Sequence, residues 1–375
     1  MKQIRRFSIL PALAAAMLGL ALWTPSVRAC NIPVFRYALE RWEPYPYETL
    51  VFYDQTLPEP LRQTFEALEN RPVNLSVWLV DINQEDMHEE LKKVWAREKS
   101  RAVLPWGVVR YPYPYWNNVK TNTLWTGTVE PATLWQLVDS PARRTVAEHI
   151  LKGVSTVWIF IEGDDPSEND AKADILRKRL DWVRQVAELP DIAIQEVEQG
   201  EMAKDAPGHV PLKIAFEIVR LQRDDPAEQF LIHALLNIEK DYKDFKDKPF
   251  AFPIFGQGRA LWGLIGDGIA DAMIDDASAF LLGACSCTIK DLNPGVDMLI
   301  QADWYGGVSN LLSVASEAPT LSGMAPPPET AADGETAEPE TAPELPLGLV
   351  VGGTLAILLV VVALISIKAL KQNNT

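Results

Sequence analysis

VSTVWIFIE, at residues 154–162, is a run of β-branched and aromatic residues that ends at Gly163-Asp164-Asp165-Pro166, after which helical spacing runs through 168–188. A short apolar run bounded by turn residues predicts a buried strand, and the spacing beyond it predicts a helix. A short or edge strand follows at 191–197, then a strand at 211–221 (PLKIAFEIVRL). Asp225-Pro226-Ala227-Glu228 opens the next helix as a capping box, with Asp225 accepting from the first turn and Glu228 reaching back. Pro253 precedes a short strand, GQGR at 256–259 is a hairpin turn, 260–265 returns, and a helix at 269–282 closes the unit.

Working back toward the N-terminus, the same order is found once more. TLVFY (49–53) is β-prone, and 59–70 carries Leu61, Phe65 and Leu68 at helical spacing. A strand at 74–82, a helix near 86–99, a strand at 106–111 preceded by Pro105 and a strand near 123–129 come next. Ser140-Pro141 then starts a helix to Lys152, with a capping serine ahead of a first-turn proline.

Each half therefore has the order β-α-β-α, a proline, two adjacent strands and a helix. Over residues 47–282 this order resembles the thioredoxin-like fold, in which a cis-proline precedes the strand leading into a hairpin. Pro105 and Pro253 stand at the matching places. The resemblance implies an α/β fold of two βαβαββα units, and a single mixed α/β domain with the same elements is the alternative. Thioredoxins carry Cys-X-X-Cys where the first strand meets its helix, because the helix dipole lowers a thiol pKa there. Here those junctions are Asp54-Gln55-Thr56-Leu57-Pro58 and Gly163-Asp164-Asp165-Pro166. Without the dithiol, the resemblance implies binding modules rather than redox catalysts.

Both ends carry membrane signals. Lys2, Arg5 and Arg6, an apolar stretch to Trp23, Pro25, and small residues at Val27 and Ala29 predict a signal peptide over 1–29, cut before Cys30. An uncleaved anchor and lipidation of Cys30 are the rival readings. Residues 346–367 form 22 residues without charge, followed by Lys368 and Lys371. At ~1.5 Å per residue such a helix spans the roughly 30 Å hydrocarbon layer, and the lysines place the 368–375 tail in the cytoplasm. The expected body is periplasmic, as a first domain over 30–153 and a second over 154–316, joined to the span by an acidic Pro/Thr/Ala stalk at 317–345. Such a stalk extends at up to ~3.1 Å per residue. ACNIPVFRYALERW (29–42), RDDPAEQF (223–230), FPIFGQGRAL (252–261) and GACSCTIKDLNPGVDML (283–299) resemble uncharacterised membrane-anchored bacterial envelope proteins, a likeness that carries no activity with it.

The formal charge of −16 loses +4 with the signal, −7 with the stalk and +2 with the tail, leaving −15 on residues 30–316. That excludes nucleic acid and anionic headgroups as main partners. The cysteines are Cys30, Cys285 and Cys287. An odd count outside the cytoplasm permits a bond from Cys30 to either later cysteine, or closure of the later pair. Cys285-Ser286-Cys287 also offers thiol exchange or a soft metal two sulfurs.

His88, His149, His209 and His233 lack HExxH spacing, and no G-X-S-X-G elbow or P-loop is present, so no cofactor is expected. Asp164, Asp165, Glu168 and Asp170 lack the spacing of a calcium loop and suit a solvated helix start. Tyr111, Tyr113, Tyr115 and Trp116 are a candidate aromatic contact for a protein or sugar, with inter-domain packing as the alternative. The sequence thus leads to a tethered, non-catalytic binding protein with an envelope protein as partner, the alternative being a thiol-redox or soft-metal protein using Cys285 and Cys287.

Overall fold

Apolar residues on both faces of YETLVFY make that segment the centre of a covered sheet. The computed structural model describes residues 32–190 and 213–307, which belong to one compact unit. The expected signal peptide, the strand at 191–197, the stalk, the membrane span and the tail lie outside the described residues. Among the described residues, no helix is long and apolar enough to cross a membrane.

The described chain begins with α1 (Val34–Arg41) and enters β1 (Tyr47–Tyr53), α2 (Glu59–Glu69), β2 (Leu75–Asp81), α3 (Glu89–Glu98), β3 (Trp106–Arg110) and β4 (Thr123–Thr128). These strands form a mixed sheet in the order β2-β1-β3-β4. β1 is parallel to β2 and antiparallel to β3, which is antiparallel to β4. Leu50 and Phe52 pack with Val80, Trp106 and Val108 on the α3 side. Val51 points the other way, to Leu61, Phe65 and Leu68 of α2 and to Leu134 and Val138 of α4 (Pro131–Val138). A strand buried on both faces loses the polar alternation of a half-exposed one.

After α5 (Pro141–Leu151) come β5 (Thr156–Ile161), α6 (Pro166–Val186), β6 (Phe216–Leu221), α7 (Gln229–Leu236), β7 (Phe250–Phe255), β8 (Arg259–Ala260), β9 (Leu264–Ile265), α8 (Asp271–Leu282) and β10 (Val296–Asp297). The second sheet is also mixed, ordered β10-β8-β7-β5-β6, with β9 on β7. Val157, Ile159 and Ile161 meet Val146 and Ile150 of α5 and Leu231 and Leu235 of α7. Trp158 and Phe160 face α1, α6 and α8.

Three expectations need correction. Pro253 does not precede its strand but lies inside β7, opposite Trp158. Its carbonyl accepts from Leu261 N on the β8 side, so its missing N–H falls on that same side, because a residue in an antiparallel strand points both groups one way. The return strand expected at 260–265 is accordingly split into β8 and β9 around residues 261–263. The proline directly ahead of β7 is Pro249, and the described cis peptide is Leu104-Pro105, directly ahead of β3. The third correction concerns Glu228, which does not reach back onto its own helix start; its carboxylate is taken by α5. Asp225 does accept from Ala227 N, at 2.9 Å. The hairpin at 256–258 is as expected. Gly256, at φ +58°, abuts α1 so closely that an added Cβ would lie 2.7 Å from Ala38 Cβ.

Candidate functional site

The two sheets meet along a seam of polar groups buried from water. Asp297, on β10, is set opposite Arg259 on β8 by the strand pairing. Its Oδ1 accepts from Arg259 Nη1 at 3.2 Å. Its Oδ2 accepts from Lys290 Nζ at 2.5 Å, Tyr115 Oη at 2.7 Å and Tyr45 N at 2.8 Å, and its carbonyl accepts from Tyr47 Oη at 2.9 Å. The tyrosines come from the first half of the chain and the cations from the second, so one carboxylate joins both.

The remaining donors are also used. Arg259 donates to Pro294 O, Asn293 O and Tyr115 Oη, and lies over the rings of Trp42 and Tyr115. Lys290 also donates to Glu43 O and sits 3.9 Å from the Tyr45 ring centroid. Burial pushes the Lys290 ammonium below its ordinary pKa, against the opposing pull of Asp297. Burial first, and then the Asp297 charge, raise Tyr115. A buried carboxylate with this many donors is a structural lock.

A second buried pair stands nearby. Glu228 Oε1 accepts from Ala142 N at 2.7 Å and Oε2 from Ser140 Oγ at 2.6 Å, capping α5. Arg143 donates to Ser140 Oγ and to the carbonyls of Gln136, Leu137 and Leu299. It thereby places its charge at the negative end of α4. Burial brings Arg143 down to about 10, with Glu228 pulling upward.

The four aromatic candidates separate. Tyr111 and Tyr115 are 1% and 3% exposed, and Tyr111 Oη donates to Ala234 O at 2.8 Å. Tyr113 is 77% exposed. It meets the half-buried Trp116 edge to face with centroids 5.1 Å apart, and Arg110 lies 5.2 Å from the Trp116 ring. Trp116 is fixed from below by Nε1 donating to Tyr111 O at 2.8 Å.

Cys285 is buried beside Val34, Phe35 and Ala38 on the α1 side, with its thiol donating to Cys287 O at 3.1 Å. Cys287 is half-buried and not bonded to Cys285. Cys30 lies outside the described residues. Among the described residues, no three His, Cys, Asp or Glu side chains gather as a metal site.

The acidic start of α6 is occupied by its own neighbours: Asp165 caps Ser167 N, Glu168 pairs with Lys248 and Asp170 with Arg220. The β5–α6 junction is closed by chain, since Asp164 N donates to Asp247 O at 2.8 Å and a Cβ on Gly163 would lie 2.3 Å from that oxygen. A cleft between α6 and β6, lined by Arg177, Arg184 and Phe216, holds about 60 Å³. Small-molecule sites run to roughly 300–1,000 Å³.

Sequence reasoning missed Asp297, Arg259 and Lys290 and assigned Glu228 to the wrong helix start; a lone charged residue carries no local sign of a partner far away in the chain. Comparison with protein-family models and with curated proteins yields no match for this chain.

Proposed function

We propose that this chain is a membrane-tethered extracytoplasmic protein that binds an envelope protein and performs no catalysis, built from two thioredoxin-like units that lack the dithiol. The strand orders β2-β1-β3-β4 and β6-β5-β7-β8, with matching directions, support the two-unit reading, as does the cis-proline ahead of β3. The non-redox reading is favoured by the β5–α6 junction, where the backbone at 247–249 fills the place in which a thioredoxin presents its thiols. One observation carries the binding role: Tyr113 stands in solvent on a rigid base made by Trp116, Arg110 and Tyr111. Ordered aromatics of this kind supply contact area at little conformational cost.

The test places a photo-crosslinking amino acid at Tyr113 in the full-length chain in its native membrane. A discrete adduct that disappears in a folded Trp116→Ala variant supports the reading. A folded, membrane-inserted chain that yields no adduct overturns it.

A further inference from the structure

We infer that two copies of this chain pair through β2, edge to edge and antiparallel, so that their four-stranded sheets join into one. β2 ends its sheet and has β1 on one side only. At the two ends of that ladder Tyr47 N donates to Asn74 O and Ile82 N donates to Tyr53 O. The even-numbered residues of β2 therefore turn their backbone groups toward β1. The N–H and C=O groups of Val77, Leu79 and Asp81 point the other way, and among the described residues no strand pairs with them.

The other sheet ends are guarded. β4 is met by α7, where Trp125 and Phe230 have ring centroids 5.8 Å apart. β6 exposes the charged Glu217 and Arg220, and β10 is two residues long. β2 has none of these protections, with seven residues, no proline or lysine, and no bulge against β1. Trp78 lies on the α3 side with Val80, and Leu79 on the α2 side with Val77. They are 54% and 47% exposed, so a large apolar side chain protrudes on each face of the open edge.

Such an edge takes up an extended strand, and β2 of a second copy fits it. In the antiparallel register that overlaps the whole strand, Val77 exchanges both backbone bonds with Leu79 of the copy. Asp81, the one charged residue of β2, then faces Leu75, so no like charges oppose. Trp78 stands opposite Trp78 of the copy at a non-hydrogen-bonded site, where side chains come closest, and the two indoles form a cross-strand aromatic pair. Antiparallel pairing also sets the start of one β2 beside the end of the other. Exposed Arg71 precedes the strand and exposed Glu85 and Asp86 follow it, so opposite charges meet at both ends. One patch serves both copies, as a two-fold interface requires.

The test uses the full-length chain. In native membranes, Trp78→Cys is oxidised with copper phenanthroline and its linked peptides are mapped by mass spectrometry. In detergent, light scattering gives the protein mass of the parent, of Leu79→Lys, which sets a charge on the edge, and of Leu79→Pro, which removes an N–H that only the second copy would use. We expect a disulfide joining position 78 of two copies and a dimeric parent. Leu79→Pro deletes two hydrogen bonds per dimer, so its dimer dissociation constant should rise roughly tenfold or more, and Leu79→Lys should shift it the same way. No link at position 78, a monomeric parent, a dimer unmoved by the folded Leu79 variants, a link from position 78 to another protein, or an equal link from Glu217→Cys on β6 overturns the pairing.

Discussion

Glu228 accepts the hydroxyl proton of Ser140 at 2.6 Å across 88 residues of chain, and through it the second half of the protein caps a helix of the first. The same carboxylate takes the Ala142 N–H, so two donors at the start of α5 depend on a residue outside that helix. Glu228→Ala removes the cap and leaves Arg143 buried without the opposite charge that acts on it most strongly. We expect a loss on the order of 3 kcal/mol in urea unfolding, and a change below about 0.5 kcal/mol would refute this account.

Asp297→Asn keeps the shape of the seam and removes its charge. Arg259 and Lys290 then stay buried with no carboxylate between them, for an expected cost of about 3–5 kcal/mol. Adding Lys290→Met to Asp297→Asn should recover part of that loss. A double variant less stable than Asp297→Asn alone would contradict the proposed repulsion.

The three tyrosines of the 111–115 segment should respond differently to loss of the hydroxyl. Tyr111→Phe and Tyr115→Phe each leave buried partners unsatisfied, at an expected cost of about 1–3 kcal/mol. Tyr113→Phe should stay within about 0.5 kcal/mol of the parent, as exposed substitutions do. Thermal and urea unfolding of the three variants measure the difference directly.

Glu239 supplies a pH test. Burial raises its carboxyl above the ordinary 4.5, and the Asp241 charge adds to this, while the hydrogen bond from Gly263 N at 2.7 Å opposes them. A raised folded-state pKa means the native chain binds the proton more tightly than the unfolded one. The resulting stabilisation is complete below 4.5 and is lost as pH rises through the folded value. Glu239→Gln, which can still accept from Gly263 N, should therefore gain stability over the parent at pH 7 relative to pH 4. Equal differences at the two pH values would mean the shift is absent.

At the β5–α6 junction, Gly163→Ala sets a methyl group against the backbone of Asp247 rather than against a movable side chain. We expect destabilisation of about 2 kcal/mol or more, in the range of overpacking. Gly268→Ala, where no atom lies within 4 Å of the added carbon, is the control, and equal effects from the two would rule out the close approach.

Elements whose apolar spacing is set locally were legible in the sequence: VSTVWIFIE, the helix after Ser140 and the hairpin at Gly256 all stand where their residues indicate. α1, α4 and β10 were not, being eight, eight and two residues long, too short for their period to emerge. Pro253 looked like a strand boundary because its missing N–H matters only relative to β8 and β9, which local sequence does not specify. The alternation Tyr-Pro-Tyr-Pro-Tyr gives no sign that Tyr113 is exposed and Tyr115 buried. The difference arises in the 3-10 turn at Tyr113–Tyr115, where residues two apart point about 120° apart. The seam was illegible for a related reason: Asp297 is 252 residues from Tyr45 and 182 from Tyr115.

Those separations also impose an order in time. A chain made from its N-terminus presents Tyr45, Tyr115, Arg259 and Lys290 before Asp297 has been added. Until then Arg259 and Lys290 have carbonyl and hydroxyl partners but no carboxylate, and Glu228 is the carboxylate that the halves already share. A product truncated just before residue 297 thus has both sheets' long strands and the Glu228 cap, and lacks the carboxylate that ties the tyrosines of one half to the cations of the other.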